Sequence, residues 1–249
     1  MTNALRFDFT DSSVLVTGGT SGIGHAIATA FAAAGASVMV TGTRTSAAEY
    51  ETDLSAFEFR QLEMRDPEAV DALAAELSAL DVLVNNAGAT FPDGRDEWSP
   101  EGFSASLDMN VEGAMRLTVG SRQALAASSM SGGASVVNLV SMTAFRSTTM
   151  VPGYSASKAA LTALTRNLAV HWVGDGIRVN AVAPGVIDTP MTAPMKSMPE
   201  LFEAEVGRGA MHRMGTPEEV AAAVLFLSSE ASSFTTGAVF AVDGGFLAQ

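Results

Sequence analysis

The sequence contains no cysteine and few basic residues. Without cysteine it offers no disulfide framework, no cysteine-ligated zinc or iron–sulfur site and no cysteine nucleophile. Its 14 Lys and Arg against 27 Asp and Glu give a formal net charge of −13, which argues against nucleic acid or an anionic membrane as a general partner. The 3 histidines lie far apart and lack metal-ligand spacing, so no metal site is expected.

Long apolar runs are also lacking. No run approaches the ~20 residues of a membrane span, and residues 1–10 hold one Arg and no apolar core, so no signal peptide is expected. With 47% hydrophobic and 16% charged residues, the 249-residue chain is not of the disordered class and can bury a sizeable core. We expect one soluble, cytoplasmic domain spanning residues 1–249.

Short β-branched runs alternate with Ala- and Leu-rich stretches of helical spacing. The runs that predict strands are residues 13–17, 37–41, 57–62, 82–84, 135–140, 178–183 and 238–242. They lack strict polar alternation, which suits strands buried on both faces. The repeated order of strand and helix predicts an α/β fold, with a doubly wound, seven-stranded parallel sheet and helices on both faces.

Capping signals mark several helix starts, and one long stretch has no clear pattern. Asp66 and Ser99 each precede a proline, and Thr216 with Glu219 has the spacing of a capping box. Residues 190–213 fit neither helix nor strand, are rich in Met, and follow a predicted strand at the end where parallel sheets bind ligands. We expect them to form a substrate lid, the alternative being an ordinary surface excursion.

A glycine-rich turn at residues 17–24, Thr-Gly-Gly-Thr-Ser-Gly-Ile-Gly, follows the first predicted strand and opens a helix. Gly18 allows a tight turn, Gly22 lets backbone approach a ligand, and Gly24 lets the helix pack closely on the sheet. Free N–H groups at the helix start favour a pyrophosphate. The segment therefore predicts a nucleotide-binding turn, the alternative being a simple βα turn, and it lacks the Lys-Ser or Lys-Thr of a P-loop.

One of the 2 tyrosines stands four residues before a lysine. On a helix, Tyr154 and Lys158 share a face. A fixed cation near a phenol favours the phenolate and lowers its pKa from ~10, which makes Tyr a usable acid or base. Ser141 ends a predicted strand upstream, where a hydroxyl could orient a substrate oxygen.

Together these features resemble the short-chain dehydrogenase/reductase family, in its single-domain branch, over nearly the whole chain. The matching segments are residues 17–24, Asn-Asn-Ala-Gly at 85–88, the tetrad Asn110, Ser141, Tyr154 and Lys158, and Pro-Gly-Val-Ile-Asp-Thr at 184–189. The resemblance implies a Rossmann-like fold and an NAD(P)(H)-dependent oxidoreductase. Enoyl reductases of the superfamily usually space Tyr and Lys more widely, which disfavours that branch.

The resemblance also implies a role for each catalytic residue. Tyr154 would exchange a proton with the substrate oxygen, and Lys158 would tune Tyr154 and bind the nicotinamide ribose. Ser141 would hold the substrate oxygen, and Asn110 would place a water that links Lys158 to solvent. Because Asn is a poor interior helix residue, its position within the helical stretch 100–127 also predicts a kink.

Cofactor contacts follow from the same resemblance, and Asn85 is expected to brace neighbouring strands instead. The implied contact residues are Gly18, Thr20, Ser21, Gly22, Ile23, Gly24, Thr43, Arg44, Glu63, Met64, Asn86, Ala87, Gly88, Tyr154, Lys158, Pro184, Gly185, Ile187 and Thr189. Glu63 and Met64 stand where the family usually has Asp and a small aliphatic residue beside adenine.

The end of the second predicted strand favours NADP(H) over NAD(H). Gly42 stands where NAD-using relatives usually carry Asp, and Thr43 and Arg44 suit a phosphate. Against this, Ser21 occupies a position where many NADP-using relatives have a basic residue.

The expected activity is NADP(H)-dependent hydride transfer to or from a small-molecule carbonyl or secondary alcohol, with 3-oxoacyl-(acyl carrier protein) reductases and their acyl thioesters closest in resemblance. The alternatives are an NAD-dependent alcohol, sugar or steroid dehydrogenase and a non-catalytic nucleotide-binding scaffold. The family resemblance also implies a homotetramer, formed through the helices of Met115 and Tyr154 and the C-terminal strand. Residues 89–98, 142–153 and 191–214 are expected to set specificity, and their apolar content indicates a hydrophobic carbonyl compound.

Overall fold

The computed structural model describes residues 6–249. Of residues 1–10, for which no signal peptide is expected, the first five lie outside the described residues. The strands are Ser13–Val16 (β1), Ser37–Gly42 (β2), Glu58–Gln61 (β3), Val82–Asn85 (β4), Ala134–Leu139 (β5), Ile177–Pro184 (β6) and Val239–Val242 (β7). They form one parallel sheet in the order β3-β2-β1-β4-β5-β6-β7. All seven predicted strands are confirmed, each within one residue of its predicted ends.

The helices cover both faces of this sheet. They are Gly22–Ala33 (α1), Pro67–Glu76 (α2), Pro100–Leu107 (α3), Gly113–Gly120 (α4), Arg122–Ala126 (α5), Pro152–Trp172 (α6), Pro199–Gly207 (α7) and Pro217–Ser228 (α8). A π-helical turn, Asp108–Glu112, joins α3 to α4. Within residues 6–249, no helix combines the length and the apolar character needed to cross a membrane.

The predicted helix starts are confirmed by their capping hydrogen bonds. The Asp66 carboxylate accepts from two backbone amides of α2, each at 3.1 Å, and Ser99 Oγ accepts from the amide of Gly102 at 3.0 Å. Thr216 and Glu219 form the expected capping box of α8. These side chains satisfy amides that have no partner within the helix, so the three helices begin where the sequence indicates.

Alternate residues of β1 enter two separate apolar layers. Val14 and Val16 pack with buried residues of α1 and α8, such as Phe31 and Val224. Leu15 points to the opposite face, where buried residues of α2, α4 and α6 lie. The central strands of the sheet are therefore covered on both faces, as the Rossmann-like, doubly wound prediction requires. The expectation of burial on both faces is wrong for the edge strands β3 and β7, whose residues are exposed or only partly buried because each has a neighbouring strand on one side alone.

The stretch 190–213, which shows no clear pattern in the sequence, contains regular structure. A 3₁₀ turn, Ala193–Ser197, is followed by α7. Val206 is the buried residue of α7, so this helix has no apolar stripe by which its sequence could reveal it. The stretch does follow the carboxyl end of β6, but its role as a lid stays a prediction.

Candidate active site

The glycine-rich turn is shaped by positions where a side chain would not fit. Gly18 and Gly22 have φ angles of +63° and +51°, in the left-handed region. A methyl group on Gly24 would overlap the carbonyl oxygen of Gly18 and Nδ2 of Asn86. The start of α1 therefore lies directly against the turn that precedes it.

Thr17 and Asn86 join this turn to the end of β4. Thr17 Oγ1 accepts hydrogen bonds from the amides of Asn86 and Ala87, both at 3.0 Å. Asn86 Nδ2 donates back to the carbonyl oxygens of Thr17 and Gly18, at 2.9 and 3.1 Å. Asn86 and Ala87 thus lie beside the turn, together with the glycines that the resemblance assigns to the cofactor.

Asn85, one residue earlier, has the bracing role that was expected. Its Nδ2 donates to Asn138 Oδ1 on β5 and to Thr118 Oγ1 on α4, both at 2.8 Å. Asn138 Nδ2 donates in turn to Thr165 Oγ1 on α6, at 2.9 Å. This buried chain of side chains connects two strands with two helices below the site.

At the end of β2, Tyr50 occupies the space beside Gly42. A methyl group on Gly42 would overlap the phenol oxygen of Tyr50 and would lie 2.7 Å from Cγ2 of Thr20. Tyr50 accepts a hydrogen bond from the amide of Arg44 at 2.9 Å, and the Arg44 guanidinium lies 4.9 Å from the centre of the Tyr50 ring. A carboxylate at position 42 would therefore displace Tyr50, whereas Arg44 remains exposed beside the turn.

Asn110 lies in the π-helical turn, where the sequence predicts a kink. Its side chain is 1% exposed and pairs with the backbone of Ala89, accepting from the amide and donating to the carbonyl, each at 3.1 Å. Asn110 Nδ2 also donates to the carbonyl of Ser106 at 2.9 Å. A methyl group on Gly88 would lie 2.6 Å from Asn110 Oδ1 and 3.2 Å from Lys158 Nζ, so these three residues meet at one point.

Ser141 follows β5 and is oriented by Thr143. Its Oγ accepts hydrogen bonds from the amide and the hydroxyl of Thr143, at 3.2 and 3.0 Å. Because a serine oxygen has two lone pairs, these contacts leave its own O–H free to donate. The carbonyl of Thr143 accepts from Ser155 Oγ at 2.6 Å, which attaches the arrangement to α6.

Lys158 is buried beside Tyr154, and its one hydrogen bond goes to a neutral group. Its Nζ donates to the carbonyl oxygen of Leu139 at 2.9 Å and lies 5.4 Å from the centre of the Tyr154 ring. The side chain is 3% exposed. Burial without a carboxylate partner lowers the pKa of Lys158 to about 8.

The protein environment shifts Tyr154 in the direction opposite to the expected one. Burial raises the pKa of Tyr154 to about 12; a hydrogen bond from Ser141 lowers it, and the nearby Glu97 carboxylate raises it further. Lys158 lies over the ring face, with its ammonium bonded to Leu139, so the loss of water around the phenol outweighs the cation. The phenol therefore stays protonated and is poised as an acid in the structure as it stands.

The segment after β6 closes against the glycine turn. A methyl group on Gly22 would lie 3.3 Å from the side chain of Thr189 and 3.6 Å from Pro190. Ile187 is buried and its carbonyl accepts from Thr192 Oγ1 at 2.6 Å, while Thr192 Oγ1 also accepts from the amide of Thr189 at 3.1 Å. Pro184 and Gly185 hold the start of this segment against β7, where the amide of Gly185 donates to the carbonyl of Val242 at 2.9 Å.

The structure gives Glu63 and Met64 different surroundings. The Glu63 carboxylate accepts from the amide of Arg65 at 3.2 Å and lies 3.6 Å from its guanidinium. Met64 is 6% exposed, and a methyl group on Gly113 would lie 3.0 Å from its terminal carbon. Met64 is therefore part of the core against α4, and a contact of either residue with adenine stays a prediction.

The turn has the features that a pyrophosphate requires. Ser21 begins α1 without a side-chain capping bond, and the first turn of α1 carries no acidic residue. Its amide groups and the positive end of its dipole thus face the cradle formed by Gly18 and Gly22. These features fit a dinucleotide, whose pyrophosphate the amides at the start of α1 would hold.

Proteins of known name that resemble this chain are dehydrogenases and reductases. The family model described as enoyl-(acyl carrier protein) reductase matches residues 18–247. Galactitol 2-dehydrogenase (L-tagatose-forming) from Cereibacter sphaeroides is 39% identical over 239 residues, 93% of this chain and 93% of that protein. 2-Dehydro-3-deoxy-D-gluconate 5-dehydrogenase from Bacillus subtilis (strain 168) is 34% identical over 251 residues, 98% of this chain and 97% of that protein.

A solved structure extends the similarity to three dimensions. It is a candidate NAD(P)-dependent gluconate 5-dehydrogenase from Beutenbergia cavernae with NADP bound at low occupancy. Its TM-score is 0.85 at 33% identity, covering 98% of this chain and 100% of that one. The chain belongs to the short-chain dehydrogenase/reductase family. It is an NAD(P)-dependent oxidoreductase, and the mixture of activities among these names leaves its substrate open.

Three residues of this short-chain dehydrogenase/reductase that contact the site were missed by sequence reasoning. Tyr50 could have been noticed, since it is one of only 2 tyrosines. Thr143 also carried a signal, because a threonine two residues after a strand-ending serine is placed for a local side-chain hydrogen bond. Glu97 carried none: a single glutamate in a loop is normally exposed, and only the fold shows it buried.

Proposed function

We propose that this short-chain dehydrogenase/reductase transfers hydride between NADP(H) and a secondary alcohol or ketone of a small molecule. The observation that carries the proposal is the convergence of Tyr154, Ser141 and Lys158 on one side of the glycine turn, with Asn110 behind them. Gly88 lies where Asn110 and Lys158 meet, since its neighbours in space include both Asn110 Oδ1 and Lys158 Nζ. This arrangement joins a proton donor, an oxygen-orienting hydroxyl and a cation beside a dinucleotide cradle.

The side chains have distinct parts in the proposed reaction. When bound, the reduced nicotinamide supplies a hydride to the carbonyl carbon. Tyr154 gives its phenol proton to the carbonyl oxygen, so the carbonyl becomes a secondary alcohol. Ser141, whose lone pairs are occupied by Thr143, donates its O–H to the same oxygen and holds it in place. In the reverse direction, the Tyr154 phenolate takes the hydroxyl proton.

Lys158 and Asn110 support that proton transfer. The ammonium of Lys158 favours the phenolate that Tyr154 becomes once it has lost its proton. Asn110 fixes Ala89 and the turn around Gly88, so the space in front of Lys158 Nζ keeps its shape. The proposed roles thus require the buried geometry and not merely the presence of four residue types.

The preference for NADP(H) rests on the end of β2. A carboxylate at position 42, which would bind a ribose 2′-hydroxyl, would need the space that the Tyr50 phenol occupies. Arg44 lies exposed at the same place, and its guanidinium can bind a 2′-phosphate with two hydrogen bonds. Both features favour the phosphorylated cofactor.

A polyol or sugar-acid dehydrogenase is the second candidate, because the relatives described above carry such names. The mouth of the site favours a more apolar compound. Of the thirteen large apolar side chains that are exposed among the described residues, seven lie on segments that follow β4, β5 and β6: Phe91, Trp98, Phe145, Met150, Met191, Met198 and Met211. A 3-oxoacyl reductase remains a prediction within this range. If residues 190–213 form the predicted lid, they would contribute several of these side chains.

A paired titration followed by a substrate panel tests the proposal. Nicotinamide fluorescence should show tighter binding of NADPH than of NADH. The panel should contain cyclic and long-chain ketones, 3-oxoacyl thioesters, and sugars and polyols, each assayed with both cofactors. Turnover of apolar ketones with NADPH is expected; turnover of polyols with NAD alone would select the second candidate.

Tyr154→Phe identifies the proton donor within this panel. Turnover should fall by about 10²–10⁴-fold, because the substrate oxygen loses its acid, while NADPH affinity changes little. Retained turnover would exclude the mechanism proposed here. Absence of turnover by the wild-type protein on every substrate, with intact cofactor binding, would support a nucleotide-binding scaffold.

The assembly is also a proposal. Val119 on α4, Val170 on α6, and Phe234 and Phe240 near β7 are exposed apolar residues on the elements through which a homotetramer is expected. Such side chains are typical of subunit contacts. Light scattering that gives a monomer at micromolar concentration would reject it.

A further inference from the structure

Glu97, in the loop of residues 89–98, is a fully buried carboxylate that contacts the start of α6. It is 1% exposed. One oxygen accepts a hydrogen bond from the amide of Phe91 and the other from the amide of Tyr154, both at 2.8 Å. A buried glutamate is rare unless its charge is paired. Here both partners are backbone amides, one of which belongs to the proposed proton donor.

The start of α6 explains why a carboxylate is stable at this position. Val151 precedes the helix and has no polar side chain to cap it. The amide of Tyr154 is among the first amides of the helix, which have no acceptor within the helix itself. Glu97 supplies that acceptor from a distant part of the chain and places negative charge at the positive end of the helix dipole.

Gly153 makes the close approach possible. A methyl group at this position would lie 3.3 Å from Glu97 Oε2 and 2.8 Å from Ser106 Oγ. The glycine has an ordinary helical conformation, so it is needed for space and not for a special φ angle. The helix start therefore fits closely around the carboxylate.

Glu97 also fixes the loop of residues 89–98 in an unfavourable conformation. Phe91 and Asp93 have φ angles of +48° and +57°, which side-chain-bearing residues rarely adopt. Such conformations persist only when surrounding contacts impose them. Glu97 holds the amide of Phe91, and Trp98 Nε1 donates to the carbonyl of Thr149 at 2.9 Å.

We propose that Glu97 is a positioning residue for proton transfer: it fixes the backbone of Tyr154 relative to the loop of residues 89–98, and its charge opposes formation of the phenolate. The proposal rests on the function proposed above. The polar groups near Tyr154 are Lys158 over its ring, Ser141 bonded to its phenol, and Glu97 bonded to its backbone amide. Only Glu97 contributes negative charge among these three, so it adds to the larger effect of burial in favouring the acid form of Tyr154 that ketone reduction uses.

Two substitutions separate charge from geometry. Glu97→Gln keeps the length of the side chain and removes its charge, and its single oxygen can accept from only one of the two amides. The loss of that one hydrogen bond is the geometric effect that Glu97→Asp measures with the charge retained. Glu97→Gln should lower the pKa of Tyr154, and the apparent pKa in the pH profile of alcohol oxidation should fall by roughly half a pH unit or more. Glu97→Asp keeps the charge but is too short to reach both amides. Its pH profile should match the wild type while kcat falls by about tenfold through misplacement of the phenol.

Glu101→Gln is the matched control. Glu101 lies four residues further on, in the first turn of α3, and is exposed. Glu101→Gln removes the same charge from a nearby, exposed position that does not bond to Tyr154. Its pH profile and kcat should equal those of the wild type.

Tyrosine absorbance provides a test that needs no substrate. The chain has only 2 tyrosines, so in a Tyr50→Phe background Tyr154 is the sole source of tyrosinate absorbance. At every pH below that at which circular dichroism reports unfolding, adding Glu97→Gln should increase the tyrosinate fraction. The proposal would be overturned by an equal tyrosinate fraction with and without Glu97→Gln, or by equal pH profiles for the wild type and Glu97→Gln. Either result would mean that Glu97 only caps the start of α6. Failure of the proposed function would appear separately, as Tyr154→Phe retaining turnover or as no turnover by the wild type.

Discussion

The two halves of the site are built in opposite ways. The glycine turn between β1 and α1 is formed by backbone, with glycines at positions where a side chain would not fit. Its hydrogen bonds join neutral groups such as those of Thr17 and Asn86. The other half, which we call the wall, consists of the start of α6 and the segments packed against it. It buries two charged side chains, Lys158 and Glu97, each of which bonds to backbone atoms and not to the other. In the turn, the available volume limits which side chains can be accommodated. In the wall, the cost of removing a charge from water sets that limit.

This difference predicts which property of the protein each kind of substitution should change. In the turn, an added methyl group meets atoms that cannot move, so shape decides the outcome. In the wall, volume can be conserved while charge is changed, so pH and rate should respond more than packing does. Substitutions that respect or violate this division test it directly.

Lys158→Met should give the largest effect, with activity and stability changing in opposite directions. Turnover should fall by about 10²–10⁴-fold, because Tyr154 loses the cation that supports its phenolate. The free energy of unfolding at pH 7 should nevertheless rise by about 1–2 kcal/mol, since a buried ammonium is removed at the expense of one hydrogen bond to Leu139. Urea unfolding and steady-state kinetics of the same preparations measure both.

The pH dependence of stability supplies the control for Lys158→Met. The folded protein holds the pKa of Lys158 at about 8, below its usual value of 10.5, so protonation of Lys158 disfavours folding. The contribution of Lys158 to wild-type stability should therefore become more favourable as the pH rises from about 8 to about 10, and the variant should lack that rise. Equal slopes in the two proteins would mean that the ammonium is not desolvated.

Gly24→Ala should give the next largest effect, and through volume alone. The added methyl group would overlap the carbonyl of Gly18 and Nδ2 of Asn86. The free energy of unfolding should fall by about 1–3 kcal/mol, and affinity for NADPH should fall by at least about tenfold as the cradle opens. The pH profile of the remaining activity should not shift.

Gly174→Ala is the matched control for that change. A methyl group on Gly174 would meet nothing within 4 Å. Its stability should stay within about 0.5 kcal/mol of the wild type. If both alanine variants were equally stable, the close packing at Gly24 would not be needed.

Arg44→Ala should have the smallest effect and a selective one. Loss of a charge-assisted contact with a 2′-phosphate should weaken NADPH binding by about tenfold and leave NADH binding unchanged. Arg122→Ala removes an equally charged side chain that pairs with Asp175, away from the glycine turn, and should change neither affinity. Equal weakening of NADPH and NADH would show that Arg44 does not discriminate between them.

Most of the fold could be predicted because its signals are local. Six of the seven strands contain β-branched residues, whereas β3, Glu58–Gln61, has none. Caps such as Asp66 mark helix starts by their own chemistry. An irregularity of the helix at Asn110 was also predictable, since an asparagine within a helix competes for backbone groups; the structure places a π turn there. Helix α7 had no such signal, because most of its side chains stay exposed.

The part of the site that could not be predicted is formed by contacts between distant segments. Glu97 and Tyr154 are 57 residues apart, and nothing in either segment indicates their hydrogen bond. The direction of the Tyr154 pKa shift was also missed, because the sequence shows the neighbouring Lys158 but not the depth of burial of the phenol. Pairings of this kind depend on how the loops close, which is decided by the whole fold.

The π turn at Asp108–Glu112 has a consequence for how this helical region can change over generations. A π turn contains one residue more than an α-helix can use in the same length, and each extra residue rotates the following helix by about 100°. Loss of one residue of this turn before Asn110 would restore a regular helix and, in the same step, turn Asn110 away from Ala89. A regular helix and the bonds between Asn110 and Ala89 are therefore mutually exclusive in this frame.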